Sequence, residues 1–343
     1  MTTFLEVKNL SVSFPTEDGL VQATNEVSYH VDLGETLAIV GESGSGKSVT
    51  NLAVMGLHNP GKTNISGEAI LHLPEGPIDV IKASEDKVRK LRGSAMSMIF
   101  QDPMSSLHPY YSVGDQISEA WLLYNQGDKK KAHSRAIEML DLVGIPEAKK
   151  RVNEFPHQFS GGMRQRVMIA MALVNNPKLL IADEPTTALD VTVQSQILQL
   201  IREIQKEFNM AVILITHDLG VVAQVANRVC VMYAGKIVEQ STVDDIYYEC
   251  IHPYTIGLLS SIPRVDKYHG DRLDVIGGQP PSLINLPKGC SFQPRCTFAK
   301  ETGSNICTSE VPIFKSIDSI SKGHFASCHL SPSKVKQLKS EKR

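Results

Sequence analysis

Apolar and polar residues alternate along the first part of the chain in the manner of β-strands. Residues 4–14 alternate loosely, a turn follows at Pro15–Gly19, and residues 23–31 repeat the strand pattern. This alternation predicts two half-buried strands. Continuous apolar runs predict further strands that are buried on both faces, as in a parallel sheet. These runs are residues 35–40, 95–100, 179–183 and 211–215.

Helical patterns separate the predicted strands. Helices are expected at 49–57, at 167–174 and over 113–143, with a break near Asn125–Gly127. After Asp190, apolar residues recur every three or four positions, which predicts an amphipathic helix. They are Ile197, Leu200, Ile201, Ile204 and Phe208. Strands that alternate with helices indicate an α/β fold built on a mostly parallel sheet.

The segment that joins the strand 35–40 to the helix 49–57 matches the P-loop pattern G-x-x-x-x-G-K-[ST]. Its glycines let the backbone turn tightly enough for successive N–H groups to face an anion. Lys47 adds a positive charge at the β- and γ-phosphates, and the Ser48 hydroxyl can bind Mg²⁺. The positive end of the following helix also favours a phosphate. We predict that a nucleoside triphosphate binds Gly41, Ser43, Gly44, Ser45, Gly46, Lys47, Ser48 and Val49.

Acidic residues and a histidine lie at the ends of two predicted buried strands. Asp183 and Glu184 end the strand that begins at residue 179, and His217 follows the strand 211–215. Ligands bind at the carboxyl edge of an open α/β sheet, so these side chains are expected beside the P-loop. Asp183 is suited to Mg²⁺, and Glu184 to orienting or deprotonating a water. A helix cap and a structural histidine are the alternative interpretations.

Two other places carry weaker indications of nucleotide binding. Phe14 in the first strand is a candidate for stacking on an adenine ring, with a core aromatic as the alternative. Ser160-Gly161-Gly162 precedes a helix that Ser160 can cap, and the free N–H groups there can bind an anion. A glycine at a helix start is the simpler interpretation of that segment.

Composition places the chain among ordinary globular proteins. Hydrophobic residues make up 42% and charged residues 21% of its 343 residues, and the formal net charge is −2. This charge gives no argument for binding nucleic acid, and we expect no nucleic-acid partner. No apolar run approaches the roughly 18 residues that span a bilayer, and the N-terminus lacks a signal-peptide pattern. We therefore expect a cytosolic protein of about two domains.

Taken together, these motifs resemble an ATP-binding cassette (ABC) transporter ATPase over about residues 4–260. The P-loop, Gln101, Ser160–Gly162, Asp183–Glu184, Asp190 and His217 occur in the order of that family. The closer resemblance is to the oligopeptide, dipeptide and nickel importer group. Three segments carry it: Phe155–Arg166, His217–Val222 and His252–Thr255. Phe159 and Met163 depart from the commonest signature, L-S-G-G-Q, but Met is usual in this group.

The resemblance implies a fold and a domain division. The fold is a P-loop NTPase with a mostly parallel sheet, an antiparallel β subdomain and a helical subdomain at about 103–176. The ATPase domain covers 1–260. Residues 261–343 form a small, loop-rich, cysteine-containing C-terminal extension, which we interpret as an appendage rather than as more of the sheet.

The resemblance also implies a role for each site residue. ATP lies between two cassettes, so Ser160, Gly161 and Gly162 bind the γ-phosphate held by the partner's P-loop. Ser48, Gln101 and Asp183 bind Mg²⁺. Glu184 polarises the attacking water, His217 holds the water and the γ-phosphate in line, and Asp190 connects the two sites.

The implied partners are two integral membrane permease subunits, a second homologous ATPase subunit and an extracytoplasmic peptide-binding protein. The chain is thus expected on the cytoplasmic face of the membrane, where it powers peptide import. Three alternatives stay open: an importer of nickel or another solute, a soluble ABC ATPase, and a regulatory nucleotide-binding subunit. We expect the polar loop after Gln101 to contact the membrane subunits.

Four of the six cysteines lie in the extension, which points to metal rather than disulfides in a cytosolic chain. The resemblance implies that Cys290, Cys296, Cys307 and Cys328 hold a [4Fe–4S] cluster, as in some members of the group. Zinc and the absence of any metal are the alternatives. The long gap before Cys307 leaves His324 or His329 as a substitute ligand.

Overall fold

The structure of the chain, a computed structural model, describes residues 2–102, 106–187, 189–261, 276–303 and 305–341. The start of the predicted helical subdomain at residue 103 lies outside these residues, as does the stretch 262–275 of the predicted extension. The strands are β1 (Thr3–Thr16), β2 (Gly19–Asp32), β3 (Thr36–Val40), β4 (Asn64–Leu73), β5 (Gly76–Asp79), β6 (Met96–Ile99), β7 (Leu179–Asp183), β8 (Ala211–Thr216), β9 (Arg228–Tyr233), β10 (Lys236–Thr242), β11 (Lys315–Ser316) and β12 (Phe325–Ala326). The helices are α1 (Lys47–Val54), α2 (Glu85–Leu91), α3 (Val113–Leu122), α4 (Lys129–Leu142), α5 (Ala148–Arg151), α6 (Gly161–Leu173), α7 (Val191–Phe208), α8 (Leu219–Val225), α9 (Val243–Glu249), α10 (Pro253–Ser260), α11 (Ile306–Ser309) and α12 (Pro332–Glu341). Short 3-10 helices lie at Pro156–Gln158, Gln293–Arg295 and Ala299–Thr302.

A central sheet organises the fold, with strand order β11-β12-β10-β9-β3-β8-β7-β6. The five strands from β9 to β6 in this order are parallel. Every residue of β3, β7 and β8 is buried, because helices or a second sheet cover both faces. The continuous apolar runs of the sequence are therefore the parallel strands, as predicted. Their carboxyl ends at Val40, Asp183 and Thr216 form one edge.

A second, antiparallel sheet covers one face of the central sheet, with strand order β2-β1-β4-β5. Apolar residues of β1 and β2, α1 and the inward face of β3, β6, β7 and β8 share one core. Leu5, Leu37 and Leu71 are among its fully buried members. The loose alternation of residues 4–14 and 23–31 thus predicted the two long strands of this sheet.

Helices α3 to α6 form a bundle on the other face of the central sheet. Their apolar side chains join α7 and residues such as Leu180 and Leu214 in a second core. The predicted break is confirmed, since α3 ends at Leu122 and α4 begins at Lys129 after the capping residue Asp128. The side chain of Asp128 accepts a hydrogen bond from the Lys131 N–H, which favours a new helix start there.

The extension is joined to the sheet, which differs from our interpretation of it as a separate appendage. Strand β12 pairs with β10, and β11 pairs with β12. Strands of two residues have no measurable alternation, so the sequence pattern could not reveal them. Phe292 and Phe298 of the extension are buried against side chains that precede residue 261.

Candidate nucleotide-binding site

The loop Gly41–Gly46 connects β3 to α1 at the carboxyl edge of the sheet. A Cβ atom on Gly41 would lie 2.2 Å from the carbonyl oxygen of Met232, so no side chain fits there. Gly46 has a φ of +100°, and its Cβ would lie 2.4 Å from the carbonyl oxygen of Ala23. Both glycines are therefore required by close backbone packing, in addition to any contact with phosphate.

The side chain of Lys47, the first residue of α1, folds back onto this loop. Its Nζ donates hydrogen bonds to the carbonyl oxygens of Gly41 and Glu42, at 2.7 and 2.9 Å. Burial lowers the pKa of Lys47, and the nearby carboxylates of Glu184, Asp183 and Glu42 oppose that shift. The lysine thus holds the loop in shape and supplies a positive charge next to the acidic end of β7.

Asp183 and Ser48, two predicted magnesium ligands, lie together. The Ser48 side chain lies close enough to the Asp183 carboxylate to favour its charged form. Burial raises the pKa of Asp183, while Ser48 and the charge of Lys47 oppose the shift. A hydroxyl and a carboxylate are oxygen donors of the kind that Mg²⁺ prefers, and proteins bind this ion through one or two carboxylates plus water and phosphate. The two residues therefore fit a magnesium ion.

Glu184 lies next to them in an unusual backbone conformation, with a φ of +46°. Its N–H donates to the Ile215 carbonyl oxygen at 2.9 Å, which ties this conformation to β8. A non-glycine residue in the left-handed region costs about 1–3 kcal/mol, a strain that is common at functional sites. The strained residue is thus the one whose carboxylate interacts electrostatically with Lys47 of the P-loop.

Three side chains surround the Glu184 carboxylate. His217 Nδ1 lies 3.0 Å from Oε1, while Gln101 Nε2 and Thr187 Oγ1 donate to Oε2 at 2.9 and 3.0 Å. Burial alone would raise the pKa of Glu184, but the bonds from His217 and Thr187 outweigh it and the pKa is lowered. Glu184 is therefore an anionic hydrogen-bond acceptor at neutral pH.

Ser160–Gly162 and Asp190 meet at the starts of α6 and α7. Ser160 caps α6 by accepting from the Met163 N–H, and Asp190 caps α7 by accepting from the N–H groups of Thr192 and Val193. A Cβ atom on Gly162 would lie 2.7 Å from Val193, so this glycine lets the two helices approach. Both residues are thus helix caps, as predicted for Ser160, and this position leaves other roles open.

Phe14 is half-buried in β1, where its ring packs edge-on against His58 at 5.6 Å between centroids. His58 Nε2 lies 2.8 Å from the Val49 carbonyl oxygen on α1. Phe14 is therefore linked through His58 to the helix that follows the P-loop.

Comparison with known proteins agrees with this geometry. Residues 24–187 match the family described as ABC transporter, and residues 238–302 match the family described as oligopeptide/dipeptide transporter, C-terminal region. The oligopeptide transport ATP-binding protein OppD of Bacillus subtilis is 54% identical over 93% of this chain and 87% of its own length. OppD of Escherichia coli is 52% identical over 90% of this chain and 89% of its own length.

The chain belongs to the ABC transporter ATPase family. A solved ATP-binding cassette, a dimer in a post-hydrolysis state bound to ADP and Pi, is 27% identical with a TM-score of 0.61. It aligns with 70% of this chain and 98% of its own length, so the match is to the cassette. The predicted fold and the predicted ABC ATPase activity are thus confirmed.

In this ABC ATPase the four extension cysteines line one cavity of about 20 Å³. That volume has room for about one water molecule, not for a four-iron cluster. Burial raises the pKa of Cys290, and that of Cys328 to about 12, so both thiols are protonated at neutral pH. No disulfide joins any of the six cysteines, all of which lie in the described part of the chain.

The predicted [4Fe–4S] site is therefore not supported by this arrangement. Within the described ranges, no three His, Cys, Asp or Glu side chains form a group that could hold a metal ion. The substitute ligands also have other partners. His324 Nε2 lies 2.9 Å from Glu239, and His329 Nε2 lies 3.0 Å from the Glu310 carbonyl oxygen.

A larger groove of the ABC ATPase lies beside Gln101, between β6 and the helical bundle. Its volume is about 530 Å³. Residues that line it include Phe100, Leu123, Tyr124, Met168 and Met171. Leu123 is 72% exposed and Phe100 43%, so the groove presents apolar surface to solvent. The described residues include no helix with the length and apolar content to cross a membrane.

Three residues around the site escaped the sequence analysis. Thr187 contacts Glu184, Tyr254 contacts the N–H of Glu42, and Arg295 contacts the Glu42 side chain. Only Thr187 had a local indication, since a hydroxyl three residues after an acid at a strand end can fold back to it. The other two are distant in sequence from the P-loop.

Proposed function

We propose that this chain is the ATP-hydrolysing subunit of a peptide importer. The observation that carries the proposal is the Glu184 carboxylate, held by His217, Gln101 and Thr187 beside the Ser48–Asp183 pair. Relatives with more than half of their residues identical are named oligopeptide and dipeptide transport ATP-binding proteins, which supports peptides as cargo.

The chemistry follows from positioning and charge. The N–H groups of the P-loop and Lys47 bind the β- and γ-phosphates, while Ser48, Asp183 and Gln101 would hold a magnesium ion. When bound, this ion neutralises developing charge on the phosphates. Glu184 accepts a hydrogen bond from the attacking water and orients it toward the γ-phosphorus. His217, exposed at the same edge, holds the γ-phosphate and that water in line.

Ser160, Gly161, Gly162 and Asp190 act in a second site. We propose that they close over the ATP bound to the P-loop of another ABC subunit. The exposed N–H groups at the start of α6 suit an anion. The related solved cassette is dimeric with ADP and Pi, which supports the arrangement. Phe14 is proposed to stack on the adenine ring.

The groove beside Gln101 is the proposed docking place for a cytosolic segment of a permease subunit. A bound segment there would contact Phe100, the chain neighbour of the glutamine that donates a hydrogen bond to Glu184, so docking and hydrolysis would be linked. Part of the loop predicted for this contact, residues 103–105, lies outside the described residues. Two permease subunits, a second ATPase subunit and an extracytoplasmic peptide-binding protein would complete the system. The chain would then lie at the cytoplasmic face of the membrane.

The test is Glu184→Gln in the assembled transporter. This change keeps the hydrogen-bonding shape but removes the charge, so ATP turnover is expected to fall about 10²- to 10⁴-fold. ATP binding is retained and the two cassettes stay closed, measured as ATP-dependent dimerisation. Glu207→Gln, an exposed acid near the end of α7, is the matched control with unchanged turnover. Normal turnover by Glu184→Gln contradicts the role of Glu184 and favours a regulatory subunit.

Cargo requires a separate measurement, because an ATPase subunit does not contact it. Ligand binding by the cognate substrate-binding protein distinguishes peptide from nickel or another solute. A thiolate-bound [4Fe–4S] cluster stays a prediction: the four cysteines line one cavity, but that cavity would have to widen to hold a cluster. Iron and sulfide analysis of anaerobically purified protein tests it, and the absence of both contradicts it.

A further inference from the structure

Glu42 places a negative charge inside the loop that is proposed to bind ATP. Its carbonyl oxygen accepts a hydrogen bond from Lys47 Nζ at 2.9 Å, so it contacts the phosphate-binding lysine directly. Its side chain is 27% exposed at the site. An unpaired carboxylate at this place would repel a triphosphate and attract Lys47 away from it.

Arg295 of the extension binds that carboxylate with both arms of its guanidinium. Nη1 donates to Oε2 at 2.7 Å and Nη2 donates to Oε1 at 3.0 Å, which is the bidentate geometry. The Arg295 side chain is only 6% exposed. The hydrogen bonds that Arg295 donates to the Glu42 carboxylate raise the pKa of Arg295, so the guanidinium is permanently charged.

The remaining groups of Arg295 are also fixed. Nε donates to the Gly277 carbonyl oxygen at 2.9 Å, and the guanidinium lies 5.8 Å from the centre of the Tyr233 ring. Nη1 also lies 3.3 Å from the Tyr233 hydroxyl. Contacts other than the one with Glu42 thus also fix the position of Arg295. Such preorganisation lowers the entropy lost when a long side chain forms an ion pair.

A second residue outside the P-loop holds the backbone of Glu42. The N–H of Glu42 donates a hydrogen bond to the hydroxyl oxygen of Tyr254 at 2.9 Å. Tyr254 is fully buried, and its ring packs against Tyr233 at 4.6 Å and against Phe292 of the extension at 5.4 Å. The main chain and the side chain of Glu42 are therefore both held through one aromatic cluster that the extension completes.

We propose that Arg295 is a positioning residue for ATP binding, which neutralises Glu42 and holds it away from the phosphates. The extension would then be part of the nucleotide site of this chain. The inference rests on the proposed ATP binding at the P-loop. It requires no metal at the cysteines.

The test measures ATP affinity of the full chain with a fluorescent ATP analogue. Arg295→Ala is expected to weaken binding about tenfold, because it leaves Glu42 charged and unpaired. In the assembled transporter the same variant raises KM for ATP with kcat changed less than twofold. Arg295→Lys keeps the positive charge but loses the bidentate hydrogen bonds, so its ATP affinity is expected to lie between those of the wild type and Arg295→Ala. Lys300→Ala, an exposed cation of the same extension, is the matched control with wild-type affinity.

The decisive variant is Glu42→Gln combined with Arg295→Ala. Removal of the unpaired carboxylate is expected to restore affinity to within about threefold of wild type, an effect that mere loss of packing would not produce. Unchanged affinity of Arg295→Ala, or no restoration by Glu42→Gln, overturns the inference. Failure of the wild-type chain itself to bind ATP would overturn the proposed function, and the inference with it.

Discussion

Two glutamate–histidine pairs in this ABC ATPase have nearly the same geometry and different surroundings. His217 Nδ1 lies 3.0 Å from Glu184, and His324 Nε2 lies 2.9 Å from Glu239. In the first pair the glutamate is 17% exposed and the histidine 64%. Both side chains of the second pair are fully buried. Solvent access, rather than the pair itself, separates a site for chemistry from a structural contact.

The partners of each glutamate agree with this difference. Glu184 accepts from side chains that a ligand can displace, whereas Glu239 accepts from the backbone N–H groups of Ile251 and His252, at 2.6 and 3.1 Å. Glu239 lies in β10 and His324 lies just before β12, so the buried pair joins the extension to the sheet. Four predictions test whether the exposed pair serves catalysis and the buried region serves stability.

The largest effect is expected from Glu239→Ala. The change leaves two backbone N–H groups and the His324 ring buried without an acceptor, which typically costs about 3–5 kcal/mol of the free energy of unfolding. Urea unfolding at pH 7.5 measures it. Glu239→Gln keeps one carbonyl oxygen as an acceptor and is expected to lose less. A wild-type midpoint for Glu239→Ala would show that the buried pair does not stabilise the fold.

His217→Ala is expected to act on turnover instead of stability. Loss of a group that holds the γ-phosphate and water is expected to slow hydrolysis about 100-fold, or about 2.7 kcal/mol. Because this ring is mostly exposed, the melting temperature is expected to change by less than about 2 °C. Phosphate release by the assembled transporter and thermal unfolding measure the two effects, with His133→Ala on α4 as the control. A large loss of stability with normal turnover in His217→Ala would show that the exposed pair is structural, contrary to this prediction.

The third-largest effect is expected from acid, which should lower the free energy of unfolding through the buried residue His252. Burial lowers the pKa of His252 to about 4, against a usual value of 6.5, and the nearby Glu239 carboxylate opposes part of that shift. The ring also accepts a hydrogen bond from the Tyr254 N–H. Between pH 6.5 and pH 4 the unfolded chain binds a proton that the folded chain does not. The stabilisation is thus complete above pH 6.5 and is lost as pH falls toward 4, by about 2 kcal/mol at pH 5.

Urea unfolding at pH 7.5 and pH 5 measures this loss. His252→Asn keeps a helix-capping oxygen and has no titrating ring, so its stability is expected to change less over the same range. Equal pH dependence of the two proteins would contradict the assignment to His252.

The smallest effect is expected from Phe14→Ala, about fivefold in ATP affinity, since one stacked aromatic contributes about 1 kcal/mol. Phe14→Tyr keeps the ring and is expected to bind as wild type does. If Phe14 serves only the core through its contact with His58, Phe14→Ala lowers the melting temperature and leaves the affinity unchanged.

Much of the fold was predictable because its elements have local patterns. The apolar runs became β3, β6, β7 and β8, and the break at Asn125–Gly127 separates α3 from α4. The strands β11 and β12 were not predictable, since two residues carry no period. Their place in the sheet depends on β10, which is remote in sequence.

By itself, the sequence determined the P-loop, the acids after the buried strands and the ABC family of the chain. These features can be recognised from spacings of a few residues and from the order of the motifs along the chain. Only the tertiary structure decided which side chains meet Glu42 and Glu239. Arg295 is 253 positions from Glu42, and His324 is 85 positions from Glu239. Contacts at such separations follow from the path of the folded backbone, and no local pattern of apolar and polar residues records that path.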